Sequence, residues 1–205
     1  MAATIERRLT LVGDEPMEHF YHVIPGFFHF QECYERLLRV LPTDQPSTFV
    51  EIGSFAGKSL SWLAVEAINR HIPVTIHAVD SFEAWEGVPQ GTDLRALFDE
   101  FTKPVADHIR VWPMRSLDAV KHFADESLDV VFVDGAHDYD SVTADINAWF
   151  PKLKPGAFMA GDDFLMAPVC KAVCEQFAPS GYILCHGWTT IPVEQCWPSW
   201  IARKA

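Results

Sequence analysis

The stretch Phe49-Val50-Glu51-Ile52-Gly53-Ser54-Phe55-Ala56-Gly57-Lys58-Ser59 reads as a buried strand, a tight glycine turn and the start of a helix. Phe49 to Ile52 is a short, bounded apolar run of the kind that fills a parallel sheet. Leu60, Leu63, Ala64, Ala67 and Ile68 then recur at helical spacing. Gly53 and Gly57 let the backbone bend sharply and let a ligand approach the main chain, with the unpaired N–H groups of the helix start facing it.

Two chemistries compete for this turn. Gly57-Lys58-Ser59 imitates the end of a phosphate-binding loop, G-x-x-x-x-G-K-[ST]. Only Ser54, Phe55 and Ala56 separate the glycines, so the loop is one residue short of wrapping a triphosphate, and Lys58 starts the helix out of phase with the outer phosphates. Glu51, just before the first glycine, repels phosphate and suits a ligand carrying an ammonium or hydroxyl groups. The E-I-G-S-x-x-G-x-S pattern resembles the first motif of class I S-adenosylmethionine (SAM)-dependent methyltransferases, whose glycine turn passes under the methionine part of the cofactor. The resemblance implies a SAM site at Glu51, Gly53, Ser54, Phe55, Gly57 and Ser59.

Composition narrows the classes. A chain of 205 residues suffices for one sizeable core and is short for two, so residues 46–205 are expected to form the domain and residues 1–45 an N-terminal aromatic and helical extension. A net charge of −12 without a basic cluster argues against nucleic acid as a partner. No apolar run approaches membrane-spanning length, and Met1 to Thr10 has no signal-peptide core behind its charges; a cytoplasmic protein with no membrane partner is expected. Five irregularly spaced cysteines read as reduced thiols.

Upstream, Met17 to Phe30 is crowded with aromatics and histidines. It reads as a lid or substrate wall, or more simply as aromatics packed on the domain or on a second subunit, which makes a homodimer the expected assembly. His19 and His22 lack a local carboxylate or thiol to complete a metal set and read as structural. Cys33 to Val40 is expected to be helical, with Tyr34, Leu37, Leu38 and Leu41 on the inner face.

Downstream, Pro73 to Val79 is a second buried strand, closed by Asp80-Ser81. An acidic residue at the end of the second strand of a doubly wound sheet can accept from both ribose hydroxyls, for a nicotinamide dinucleotide as well as for SAM. In the resembled family Asp80 is the ribose-binding acid with Ser81 beside it. Ile109 to Trp112 forms a third strand, and in that family Ser116 lies beside the adenine. Leu128 to Val133 is a fourth, central strand with Asp134 leaving its carboxyl end; Ala157 to Ala160 is a short fifth, leading into Gly161-Asp162-Asp163-Phe164.

The run from Val133 to Phe164, V-D-G-A-H-D-Y followed by K-P-G-x-F-x-x-G-D-D-F, is the most specific signal in the chain. It resembles the small O-methyltransferase branch that includes sugar methyltransferases of antibiotic pathways, with Ala157 in place of a usual glycine and Phe164 in place of a common tyrosine. Asp134, Asp162 and Asp163 leave two neighbouring strands and can converge, and three such oxygen donors suit a hard divalent cation, Mg²⁺ above all. In the resembled enzymes the cation holds two oxygens of a diol and lowers the pKa of the hydroxyl to be methylated. Asp134, which also borders the cofactor, or His137 takes the proton.

The C-terminal part carries a helix from Val169 to Phe177 and two last strands, Tyr182 to Cys185 and Trp197 to Ala202, expected to pair antiparallel. Trp188 lies between them as a packed aromatic or pocket wall. Cys170, Cys174, Cys185, His186 and Cys196 lack zinc-ribbon spacing and read as thiols. The expectation is a Rossmann-like, doubly wound α/β domain with a seven-stranded, mostly parallel sheet and an antiparallel last strand. It would bind SAM and a divalent cation and O-methylate a small hydroxylated acceptor such as a sugar or polyphenol. The alternatives are a P-loop-like Mg-dependent nucleotidase using Asp134, and a SAM-binding module without catalysis.

Overall fold

Alternation along the strands decides which helices cover which face of the sheet. The computed structural model describes residues 15–84, 87–177, 183–186 and 199–205. Helix α1 (Gln31–Val40) is followed by β1 (Ser47–Ile52), α2 (Lys58–Asn69), β2 (Val74–Asp80), α3 (Leu94–Thr102), β3 (Ile109–Pro113), α4 (Ser116–Ala119), β4 (Leu128–Val133), α5 (Tyr139–Trp149), β5 (Leu153–Gly161), α6 (Ala167–Phe177), β6 (Ile183–His186) and β7 (Ser199–Arg203). The sheet runs β3-β2-β1-β4-β5-β7-β6. Strands β1 to β5 pair in parallel, while β7 is antiparallel to both β5 and β6.

Phe49 of β1 with Val130 and Phe132 of β4 joins the cluster formed by α1, α2 and Phe98 of α3. Val50, Ile52, Val131 and Val133, one residue out of step, join Ala119 of α4, Val142, Ile146 and Trp149 of α5, and Val173 and Phe177 of α6. A parallel sheet covered on both faces is apolar at most positions, as β4 and residues 49–52 of β1 are, with Glu51 the buried exception. Glu51 shares the face of Phe49 and is therefore carried under α1 and α2.

Most of the N-terminal aromatics belong to this core. Phe28 packs between Trp62 (5.6 Å) and Tyr34 (5.8 Å), and Phe30 lies 4.7 Å from Phe132. His19 stacks on Trp62 and reaches Glu66 at 2.7 Å, a structural role. Val23 and Phe27 point outward, with Phe27 85% exposed.

Several boundaries depart from the sequence reading by a residue or more, α6 for example beginning at Ala167 and β7 at Ser199. Helix α1 begins at Gln31, two residues early. Helix α4 ends at Ala119 and gives way to a 3-10 turn over Val120–His122. Strand β5 begins at Leu153, because its Lys154-Pro155-Gly156 segment is absorbed as an irregularity where the register against β4 shifts; the positive φ of Gly156 (80°) permits it. Cys33, Cys170 and Cys174 are free thiols. Trp85, Trp188 and Cys196 lie outside the described residues. Among the described residues no helix is long and apolar enough to cross a membrane.

Candidate active site

The strand order reverses between β1 and β4, and the turns leaving those two strands meet there. Gly53 has φ 89°, and a Cβ on it would lie 2.0 Å from the carbonyl oxygen of Asp134, so only glycine lets the two turns touch. Gly57 caps α2 in the left-handed conformation, where a Cβ would meet Thr102 at 2.3 Å. A crevice at the carboxyl ends of the strands, at the point of reversal, is where ligands bind in open α/β sheets.

Asp80 braces the glycine turn. Its Oδ2 accepts from the Phe55 N–H (2.8 Å) and its Oδ1 from the Phe82 N–H (2.7 Å). Phe55 is held at φ 44° in this brace. Each carboxylate oxygen keeps further acceptor capacity toward the half-buried crevice. Ser81 lies beside it, its Oγ 3.4 Å from the Glu83 N–H.

Three residues expected at the ligand, Glu51, Ser59 and Ser116, make hydrogen bonds inside the protein. Glu51 is fully buried; it accepts from the Tyr34 hydroxyl and, at 3.1 Å, from Ser59 Oγ. Burial pushes its carboxyl up to about 7, against the pull of those hydrogen bonds. Ser59 is thereby turned toward Glu51. Ser116 donates to Asp145 Oδ1 (2.5 Å) and accepts from Trp149 Nε1 (2.7 Å). Asp145 is itself buried, and burial raises it to about 6. Lys58 donates to the carbonyl of Gly26 at 2.9 Å.

The acidic cluster gathers differently from the sequence expectation. Asp134, His137 and Asp163 offer ligand atoms within 4.8 Å of one another. His137 Nε2 lies 2.9 Å from Asp163 Oδ2 and 4.0 Å from Asp134 Oδ1. Asp163 reaches this position through a left-handed backbone (φ 56°). Its neighbour Asp162 is 4% exposed and otherwise engaged: Oδ2 lies 2.8 Å from His29 Nε2, and Oδ1 accepts from Ser199 Oγ at 3.2 Å. Consecutive residues leaving a strand diverge, so His137 stands in the cluster where Asp162 was expected.

Burial and the carboxylates of Asp162, Glu51 and Asp163 hold Asp134 well above the ordinary carboxyl range. The Asp163 carboxylate raises His137, and Asp162 raises His29. Sequence reasoning missed His29, Tyr34 and Asp145. Tyr34 was legible as a core position but its hydroxyl's partner was not, and His29 has no signal beyond its place in an aromatic run.

Residues 50–164, more than half of the chain, match the family described as "Methyltransferase domain". No curated protein matches the chain in sequence. Solved structures similar to it include cofactor-bound Rv0187 from MTB, at 18% identity and TM-score 0.64, covering 95% of this chain and 92% of that one. A SAM-dependent O-methyltransferase from Thermotoga maritima aligns at 12% identity and TM-score 0.62, over 90% of this chain and 69% of that one. The O-methyltransferase NovP aligns at 18% identity and TM-score 0.60, over 86% and 78%. At these identities the likeness is one of fold.

Proposed function

Because the chain belongs to the methyltransferase-domain family, we propose that it moves a methyl group from SAM to a hydroxyl of a small acceptor, in the crevice between β1 and β4, with a divalent cation beside it. Residues 46–205 form the catalytic domain in this reading, and residues 1–45 an N-terminal aromatic and helical extension. The observation that carries the reading is the convergence of Asp134, His137 and Asp163 next to a glycine turn braced by Asp80.

The donor set fits a cation. Two carboxylates and an imidazole within reach of one another would hold it through Asp134, Asp163 and His137, and the nitrogen ligand suits Mn²⁺ at least as well as Mg²⁺. When bound, SAM supplies an electrophilic methyl group, and the cation supplies positive charge that favours the ionised form of a nearby hydroxyl. Asp80 accepts from ribose hydroxyls, while the main chain from Gly53 to Gly57 lies against the amino-acid end. Glu51 and Ser59 support that turn from beneath instead of touching the ligand. Asp134 or His137, the two groups of the cluster that follow β4, accepts the acceptor's hydroxyl proton. The protein's share of the rate is positioning and electrostatics. A net charge of −12 favours a small acceptor over nucleic acid. The short loop and the engagement of Lys58 by Gly26 leave nothing that favours a nucleotidase.

Titration with Mn²⁺ in the presence of the product S-adenosylhomocysteine tests the metal part. One saturable Mn²⁺ site is expected, weakened at least about tenfold by Asp163→Asn or His137→Ala, the usual loss on removing a first ligand being no smaller than that for an outer-shell partner. Equal Mn²⁺ affinity in wild type and both variants contradicts it.

A further inference from the structure

Helix α6 meets its surroundings through distinct sets of residues. Val169, Ala172, Val173 and Phe177 enter the core. Lys171 lies over the Tyr139 ring at 4.1 Å and Glu175 accepts from the Tyr139 hydroxyl at 2.5 Å, which ties the helix to α5. Cys170 and Cys174, half-buried on consecutive turns, bring their sulfurs to 3.9 Å. Met166 stands one turn further back, and the Cys170 N–H donates to its carbonyl at 2.9 Å, so the helical bonding runs through it. Sulfur therefore recurs at every fourth position, 166, 170 and 174, and residues four apart lie above one another on one helix face.

The two thiols are poorly placed for a disulfide. A disulfide needs Cβ atoms about 3.5–4.5 Å apart, whereas residues one helical turn apart hold theirs at about 5–6 Å. Two sulfurs bound to one metal ion are a different case. At a bond length of about 2.3 Å they stand about 3.8 Å apart at the tetrahedral angle and about 4.0 Å at the trigonal one. The observed 3.9 Å lies between these values and asks for no movement of the helix. A structural Zn²⁺ takes four protein ligands, and this face offers three sulfurs, one of them a thioether. Two thiolates and a thioether are soft donors of the kind that select monovalent copper.

We propose that Met166, Cys170 and Cys174 form a three-coordinate site for Cu⁺. Each thiol gives up its proton to solvent as its sulfur binds, and the metal stays monovalent throughout. The site is separate from the Asp134, His137 and Asp163 cluster, whose oxygen and nitrogen donors suit harder ions. The two are joined by one hydrogen bond, from the Met166 N–H to the Asp163 carbonyl at 2.8 Å. An ion on the three sulfurs thus fastens the turn that carries Asp163 to the first turns of α6.

The test titrates Cu⁺ into the reduced full chain without oxygen, against bathocuproine disulfonate as the competing chelator. One tight Cu⁺ per chain is expected, with the ultraviolet thiolate-to-copper absorption rising to the same endpoint. Cys170→Ser and Cys174→Ser are each expected to lower the affinity at least about tenfold, no less than the usual loss of an outer-shell partner. Met166→Leu lowers it by a smaller factor, and Cys33→Ser, at a buried position in α1, leaves it unchanged. A second readout needs no substitution: Cu⁺ is expected to protect Cys170 and Cys174 of the wild-type chain together from alkylation by iodoacetamide, read by peptide mass spectrometry. Wild-type affinity in either serine variant or in Met166→Leu overturns the proposal. Alkylation of Cys170 and Cys174 at the same rate with and without Cu⁺ overturns it as well.

Discussion

Glu51 holds a carboxyl where there is no water, and its energetics change with pH. Burial raises its folded-state pKa from 4.5 to about 7, so between those values the folded chain binds more protons than the unfolded one. Stability is therefore full below about pH 4.5 and falls as pH rises to about 7, by an amount on the order of 3 kcal/mol. Asp145, raised by burial to about 6, adds to the same slope. Glu51→Gln keeps an acceptor for Tyr34 without the charge. Urea unfolding from pH 5 to 8 should show a shallower fall in that variant and a higher midpoint than wild type at pH 8; parallel curves would contradict the assignment. Read from sequence, a carboxylate before a glycine turn faces the ligand. The two-residue period of the strand carries the opposite information, since Glu51 must share the face of Phe49, which is core. Asp80 and Asp134 were legible because each leaves its strand at the crevice. The divergence of Asp162 from Asp163 was not, because it depends on one left-handed residue and on His29, which is more than a hundred positions away in sequence.

At the scale of elements, helix α1 is joined to β1 by both packing and a buried hydrogen bond. Tyr34 is fully buried, packs on Phe49 and Phe132, and donates to Glu51. Tyr34→Phe keeps the packing and leaves Glu51 short of a partner, and we expect a loss of about 1–3 kcal/mol in urea unfolding at pH 8. A change below about 0.5 kcal/mol would mean that Ser59 alone satisfies the carboxyl. The two turns at the crevice are coupled as tightly. Gly53→Ala would set a Cβ against Asp134 in a backbone region that disfavours it, and a loss of about 3 kcal/mol or more is expected, or no folded protein at all. A thermal midpoint within a few degrees of wild type would show that the turns can separate. The parallel strands were readable as short apolar runs. The start of β5 was hidden because Pro155-Gly156 reads as a turn, whereas bonds from the C-terminal residues keep it in the sheet: Gly156 N–H donates to the Lys204 carbonyl, and Arg203 Nε and the Lys204 N–H donate to the carbonyls of Gly156 and Ala157.

At the scale of the whole molecule, the reversal of strand order places the glycine turn, Asp80 and the Asp134 cluster along one edge of the sheet, and residues 17–30 pack on the α1 and α2 side, with Gly26 meeting Lys58 and His29 meeting Asp162. The order of motifs along the chain was enough to foresee this arrangement, since each followed a buried strand. The placement of residues 26–29 was not foreseeable, because Gly26 meets Lys58 and His29 meets Asp162, contacts that sequence spacing does not relate to this segment. Isothermal titration of the full chain with SAM, and separately with ATP and Mg²⁺, tests directly whether the crevice is a SAM site. Saturable one-to-one binding of SAM at micromolar affinity, with no heat from ATP, is the predicted result. ATP binding that requires Mg²⁺, with SAM silent, would contradict the account.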